Sequence, residues 1–140
     1  MKYEVESGFD KETYETLKSM TVTPRGGYMP MAYICSPFSG DEVGNMAKAR
    51  VYSRFAFEKG YIPITPHIYF PNFCFEEAER DTVIRMNMVL LGKCHEVWVF
   101  GDEITSGMKA EIEKASLKEK VVIRYFTTDL KENRSIQEFV

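Results

Sequence analysis

Four short apolar runs, with helical patterns between them, restrict the folds that this chain can adopt. The runs are MAYICS, YIPIT, EVWVFG and VVIRYF. Each has the length of a buried strand, and apolar residues recur at intervals of three and four over 45–59, 76–93 and 105–118. Strands that alternate with helices in this way build a parallel sheet with right-handed crossover connections.

This order of elements predicts an α/β fold. We expect a flavodoxin-like or Rossmann-like three-layer sandwich with a mainly parallel sheet of four to five strands. Pro63 in the second run has no amide hydrogen, which indicates an edge strand. Ligands of such sheets bind beyond the carboxyl ends of the strands, where the strand order reverses. With a flavodoxin-like order, that point lies between strands one and three, beside 36–45 and 101–108.

The length of 140 residues suits a single domain. We divide the chain into an N-terminal appendage (1–30), one α/β domain (31–126) and a polar C-terminal tail (127–140). The appendage is polar and ends in the breaker-rich segment TPRGGYMP. Asp10 is a candidate cap for a short helix that runs to about Met20.

Composition narrows the class of partner. A formal net charge of -3 favours neither a nucleic acid nor an anionic membrane surface, so we expect a small-molecule partner. Three cysteines without a CxxC pair and two histidines at no metal-ligand spacing predict no disulfide framework, no metal and no cofactor. No apolar run is long enough to span a bilayer, and the N-terminus is too acidic for a signal peptide. We expect a cytoplasmic protein.

One acidic residue is unusual within its helix. Over 105–118 the apolar positions Ile104, Met108, Ile112 and Ala115 form a stripe, and Glu111 lies on the edge of that stripe. The helix dipole favours a carboxylate near the helix N-terminus, and the side chain leans back toward the predicted cleft. Glu111 is therefore either a nucleophile or base, or a semi-exposed helix acid.

Two loops contain the groups that bind a phosphate without a cation. Ser36, Ser39 and Gly40 precede a helix that we expect to begin near Asn45, and TSGM occupies the start of the later helix. Hydroxyls, backbone amides and a helix N-terminus together form such a site. The alternative is that Thr105 or Ser106 is an ordinary helix cap.

The loop PHIYFPNFCF after the second strand is aromatic. His67 in it either contacts a ligand ring or is a satisfied loop histidine. The aromatic side chains of this loop either cover an aromatic ligand or fold back onto the core. Asn87, on the apolar side of its helix, is either a buried amide bonded to a neighbouring loop or a site residue.

Several segments together resemble a known group of proteins. They are AYICSPFSG, GYIPITPHIYFP, CHEVWVFGD and SGMKAEIEKA. In these segments, over about 31–125, the chain resembles an uncharacterised bacterial and phage branch of the nucleoside 2-deoxyribosyltransferase-like superfamily, of the type of domain of unknown function 4406. The resemblance implies an enzyme that acts on the N-glycosidic bond of a nucleoside or nucleotide. It also implies a homo-oligomer in which a neighbour closes the site.

The resemblance assigns roles to residues. It implies that Glu111 attacks the anomeric carbon, and that the two loops hold the sugar or its 5′-phosphate. A histidine of some nucleotide hydrolases corresponds to His67. The candidate substrate-binding residues are Ser36, Pro37, Phe38, Ser39, Gly40, Asn45, His67, Asn87, Asp102, Thr105, Ser106, Gly107 and Met108.

The sequence departs from the transferases at two acidic positions. One transferase aspartate corresponds to Thr105, and another corresponds to Asn87 or a position beside it. Asp102, Glu103 and Asp81 are the nearby acids available as substitutes. Two hypotheses follow: an N-glycosidase or deoxyribosyltransferase with Glu111 as nucleophile, or a non-catalytic nucleotide-binding module.

Overall fold

The computed structural model describes residues 11–20 and 27–133, and for 17–20 it describes the backbone only. Asp10, the predicted helix cap, lies outside these residues. The strands are β1 (Met31–Cys35), β2 (Ile62–Ile64), β3 (Glu96–Phe100) and β4 (Val122–Phe126). The helices are α1 (Lys11–Met20), α2 (Glu42–Glu58), α3 (Pro66–Tyr69), α4 (Arg80–Gly92) and α5 (Ser106–Ser116), with 3₁₀ turns at Phe70–Asn72 and Glu77–Glu79.

The strands form one parallel sheet in the order β2-β1-β3-β4. This arrangement confirms the predicted α/β sandwich, and the sheet has four strands, all parallel. The chain moves from β1 outward to β2 and then returns to the other side of β1 to form β3. The strand order therefore reverses between β1 and β3, whose loops lead to α2 and α5 on opposite faces of the sheet, and we call the place between these two loops the crevice.

Helices cover both faces of the sheet. On one face Tyr33 and Cys35 pack with Leu91 of α4 and with Met108 and Ile112 of α5. Because successive side chains of a strand point to opposite faces, Ala32 and Ile34 face the other way, toward α2. The result is a three-layer sandwich with α2 on one face and α4 and α5 on the other.

A charged side chain completes the core on the α2 face. Trp98 is fully buried, and the Arg124 guanidinium lies 4.6 Å from its ring centroid. Arg124 forms ion pairs with Glu96 at 3.4 Å and with Glu132 at 2.6 Å. Glu96 also accepts hydrogen bonds from Trp98 Nε1 and from the Tyr61 hydroxyl. Phe55 of α2 also contacts Trp98 and Phe126, so the helix and the Arg124 guanidinium pack against the same aromatic side chains.

Pro63 occupies the edge strand, as its missing amide hydrogen predicts. Ile62 donates its backbone N–H to the carbonyl of Pro30, toward the neighbouring strand. Because alternate residues of a strand point their amides in opposite directions, the nitrogen of Pro63 faces away from the sheet. The outer margin of β2 therefore lacks a donor where an additional strand would pair.

Three local expectations were wrong. The helix predicted from Asn45 begins at Glu42, because Asp41 caps it by accepting from the N–H of Gly44 at 3.1 Å. The aromatic loop is not a loop throughout, since it contains α3 and a 3₁₀ turn. Ile104 does not share the buried stripe of α5; it precedes that helix and is exposed.

The first part of the predicted tail is ordered against the sheet. Phe126 pairs antiparallel with Glu132, and the Asn133 N–H donates to the carbonyl of Tyr125 at 2.7 Å. Residues 127–133 therefore fold back on the end of β4. Among the residues that the structure describes, no helix is long and apolar enough to cross a membrane.

We predict that Arg124→Ala lowers the free energy of unfolding by about 1–3 kcal/mol, because it removes a cation–π contact and two shielded ion pairs and uncovers Trp98. Chemical denaturation followed by tryptophan fluorescence measures this change. Arg54→Ala is the matched control. Arg54 also contacts an aromatic ring, that of Phe57, and forms an ion pair with Glu58, but these contacts are exposed to solvent. This substitution should change stability by less than about 0.5 kcal/mol. If both substitutions lowered the free energy of unfolding equally, Arg124 would not stabilise the core in the way described.

Candidate functional site

Helix α5 turns the side chain of Glu111 into the protein. Thr105 caps this helix by accepting from the N–H of Met108 at 3.2 Å. Met108, Ile112 and Ala115 pack on the sheet, and Glu111 lies on the same side of the helix, with 6% of its surface exposed. The structure thus excludes the semi-exposed helix acid and shows a buried carboxyl group.

Two side chains of β1 contact that carboxyl group. The Tyr33 hydroxyl donates a hydrogen bond to Glu111 Oε2. The Cys35 thiol lies 3.7 Å from Glu111 Oε1 and 3.8 Å from the carbonyl oxygen of Met108, so its single hydrogen can serve either acceptor. Oε2 therefore accepts from a hydroxyl, and Oε1 has only a thiol, which is a weak donor.

Burial changes the protonation of this group. Desolvation raises the pKa of Glu111 to about 7, although the hydrogen bonds from Tyr33 and Cys35 lower it. Desolvation and the nearby Glu111 charge both raise the pKa values of Tyr33 and Cys35. Near neutral pH, Glu111 is therefore the member of this group that exchanges a proton.

The loop after β1 is held from two sides. His67 Nε2 lies 2.9 Å from the carbonyl oxygen of Ser36, and the His67 ring stacks on Phe38. Desolvation lowers the pKa of His67, so the ring is neutral near pH 7 and donates its Nε2 hydrogen to that carbonyl. From the other side, the Asn45 side-chain amide donates to the carbonyl oxygens of Phe38 and Ser39, at 2.9 and 3.3 Å. His67 and Asn45 thus position this loop.

Two buried polar atoms have no hydrogen-bond partner in the described part of the chain. They are the hydroxyl oxygen of Ser36 and the side-chain oxygen of Asn87. Ser36 follows β1 directly, and Asn87 lies one helical turn before Leu91, which packs on the sheet beside Tyr33 and Cys35. Buried polar atoms usually have partners, so both are candidates for contact with a ligand or an ordered water.

The structure brings the two predicted loops together at the crevice. A Cβ atom placed on Gly101, after β3, would lie 3.9 Å from Pro37, after β1. Gly101 has a φ of 115°, a conformation that glycine adopts without strain. At the start of α5, Thr105, Ser106 and Gly107 are exposed next to this crevice. Met108 is buried instead, and it reaches the site through its carbonyl oxygen.

Asp102 is one of the residues that line a hollow of about 170 Å³ beyond β3 and β4. Val99 and Tyr125 lie among the lining residues, together with Thr127 and Asn133. The Thr128 hydroxyl approaches Asp102 Oδ2 at 3.5 Å. Within residues 11–20 and 27–133 no cluster of three or more His, Cys, Asp or Glu residues has the arrangement of a metal site.

A comparison with known families places this core in a recognised group. The model of the family described as a domain of unknown function (DUF7768) matches residues 30–126. The chain belongs to the DUF7768 family. The matched DUF7768 region runs from the residue before β1 to the last residue of β4, and so contains the sheet and the Glu111 contacts. No curated protein matches the chain.

Sequence reasoning missed the two DUF7768 residues that contact Glu111. Tyr33 and Cys35 belong to the apolar run MAYICS, which we interpreted only as a buried strand. One signal was available: a tyrosine in a fully buried strand needs a partner for its hydroxyl. Tyr33 and Cys35 are also two residues apart, so they share one face of the sheet.

Replacement of Glu111 by Gln should change how stability depends on pH. A raised pKa means that the protonated carboxyl stabilises the fold below about pH 4.5, and that this advantage is lost as the pH rises to about 7. Relative to Glu111→Gln, which does not titrate, the wild type should therefore lose on the order of 3 kcal/mol over this interval. Urea denaturation of both proteins at several pH values measures the difference. Parallel profiles would show that Glu111 ionises normally.

His67→Phe should loosen the loop after β1. Phenylalanine keeps a ring against Phe38 but removes the hydrogen bond to Ser36, which should cost about 1 kcal/mol of stability. Denaturation at pH 7.5 measures this cost. His95→Phe is the matched control, because it also removes one hydrogen bond, from the Met31 N–H, and should leave amide exchange of residues 36–40 unchanged. If amide exchange of residues 36–40 is the same in His67→Phe and the wild type, His67 does not hold this loop.

Proposed function

We propose that this protein cleaves or transfers the N-glycosidic bond of a nucleoside or nucleotide, with Glu111 as nucleophile. The supporting observation is a carboxyl group that a helix turns inward, next to the crevice where the strand order reverses, with a tyrosine hydroxyl on one oxygen. The proposed relationship to the nucleoside 2-deoxyribosyltransferase-like superfamily rests on the sequence resemblance, which the DUF7768 match does not test.

The reaction proceeds in two displacements at the anomeric carbon. Tyr33 holds Oε2, and Oε1, which has only a weak thiol contact, forms a bond to that carbon while the bond to the base nitrogen breaks. The electron pair leaves with the base, which takes up a proton. Water or a second base then attacks the same carbon and releases the Glu111 carboxylate. Attack requires the ionised form, so the rate should rise with pH through about 7.

The two loops are the proposed binding elements. Ser36 has a buried hydroxyl without a partner in the described part of the chain, and Ser39 and Gly40 lie in the loop before the positive end of the α2 dipole. With Thr105, Ser106 and Gly107 across the crevice, they would hold the sugar or its 5′-phosphate. Asn87 and Asp102 are the proposed polar contacts to the rest of the substrate.

The setting of the reaction is part of the same proposal. We place the protein in the cytoplasm, a location that its three free cysteines favour. We also propose a homo-oligomer, as in the transferases that the sequence resembles. The neighbouring subunit would close the crevice.

A second function has its own support. Glu111 is almost fully buried, and by the sequence resemblance two transferase aspartates correspond to Thr105 and to Asn87 or a position beside it. A protein with this architecture and no leaving-group acid would bind a nucleotide without cleaving it. We therefore keep a non-catalytic nucleotide-binding module as the alternative.

Incubation with a panel of ribo- and deoxyribonucleosides and their 5′-monophosphates, with chromatography for free base, tests the proposal. Wild type should release or exchange base, and Glu111→Gln, of nearly the same shape, should lower the rate at least about 10³-fold. Tyr33→Phe should lower it about 10- to 100-fold and shift the pH profile, because Oε2 loses its donor.

Calorimetry on the same panel separates the two functions. A ligand that binds wild type and Glu111→Gln alike, with no base released by either, supports the binding module and rejects the enzyme. Equal rates for wild type and Glu111→Gln would reject the nucleophile. Lys109→Ala, an exposed change two residues away on α5, is the control and should leave the rate unchanged.

A further inference from the structure

Cys35 faces the second oxygen of the Glu111 carboxyl group. Its side chain is fully buried, and its sulfur lies 3.7 Å from Glu111 Oε1 and 3.8 Å from the carbonyl oxygen of Met108. That carbonyl belongs to α5, where the helical pattern supplies it with the N–H of Ile112. The carboxylate oxygen is therefore the acceptor with more need of the thiol hydrogen.

We propose that Cys35 is a positioning residue for Glu111: its thiol turns Oε1 toward the crevice and leaves that oxygen free to form a bond. The orientation of the carboxyl group is a property of the fold. The use of Oε1 as the attacking atom rests on the proposed N-glycosidic function.

The direction of β1 sets the orientation of the carboxyl group. Tyr33 and Cys35 share one face of the strand, and Cys35 lies about 7 Å nearer to its carboxyl end. Tyr33 contacts Oε2, whereas Cys35 contacts Oε1. Oε1 is therefore the oxygen on the side of Ser36 and the crevice. Contacts from two positions of one strand also restrict rotation of the carboxyl group.

A thiol orients a carboxylate oxygen without holding it tightly. The S–H group is a weak donor, whereas a hydrogen bond from a hydroxyl to a carboxylate is short and roughly twice as strong as one between neutral groups. A serine in place of Cys35 would bind Oε1 firmly and make it less basic. An alanine would give Oε1 no donor. Cysteine lies between these limits, which suits an oxygen that must be oriented and still react.

The groups around Glu111 do not compete with it for a proton near pH 7. In the described part of the chain, desolvation raises the pKa of the four titratable groups that interact with Glu111 or with its two partners, which are Tyr33, Cys35, Cys94 and Tyr125. From α4, the apolar Leu91 packs beside them. The four groups are therefore uncharged near neutral pH, and Cys35 retains the hydrogen that it donates.

Titration of the Glu111 carboxyl group tests the proposal. Carbon-13 NMR of protein labelled at the glutamate carboxyl carbon follows this group directly, and the signal that disappears in Glu111→Gln assigns it. Cys35→Ser should lower the titration midpoint by about one pH unit, and Cys35→Ala should raise it by about 0.3. One midpoint for all three proteins, or the opposite order, would overturn the proposal. If Cys35→Ser does not fold, the change in Cys35→Ala decides.

Cys94 provides the matched control. Its thiol is also buried in the same cluster, but it donates to the carbonyl oxygen of Leu90 at 3.3 Å. Cys94→Ser and Cys94→Ala should therefore leave the Glu111 midpoint unchanged. Equal shifts from the Cys35 and Cys94 substitutions would show a general response of the core and would overturn the proposal.

Base release separates this proposal from the proposed function. At about pH 9, where Glu111 is ionised in every variant, Cys35→Ser should lower the rate about tenfold, because a stronger donor holds Oε1. Cys35→Ala should lower it about threefold, because Oε1 loses its orientation. Equal rates for Cys35→Ser and wild type would reject the attacking role of Oε1. If wild type releases no base, the proposed function fails, and the order of the midpoints still decides whether Cys35 positions Glu111.

Discussion

The contact between Glu111 and Tyr33 joins the middle of the sheet to the helix beyond β3, and the arrangement around it depends on this contact. A carboxyl group in a helix–sheet interface loses its hydration, which raises its pKa toward neutrality. It is tolerated there because a hydroxyl and a thiol from one strand reach both of its oxygens. The same strand ends in the loop that His67 and Asn45 hold. One strand thus supports the acid and leads directly to the candidate binding loop.

The sheet and its order followed from the sequence because they depend on patterns that recur along the chain. Each apolar run became a strand, and Pro63 marked the edge correctly. Helix starts were less predictable, since they depend on a single side-chain contact. Asn45 and Asp41 are both good caps, and only the structure shows that Asp41 serves α2 while Asn45 binds the loop.

The site was only partly predictable for a related reason. Periodicity placed Glu111 beside the buried stripe, but its partners come from a strand 76 to 78 residues earlier. Such contacts depend on how α5 crosses the sheet, and a local pattern does not contain that information. The same limit applies to Asp102: its position in the chain suggested the crevice, and only the structure shows that it lines a hollow beyond β3 and β4. The aromatic segment formed α3 because Pro66 favours the first position of a helix.

The orientation of Pro63 bears on how this chain behaves when it is crowded. An open parallel sheet has two margins, and the end of β4 is already occupied by its own returning segment. At the opposite margin, Pro63 offers an extended peptide a carbonyl oxygen but no N–H. The regular ladder of hydrogen bonds cannot continue there. The missing N–H of Pro63 therefore opposes the addition of a strand from another copy at this margin, which works against growth of the sheet into a fibril.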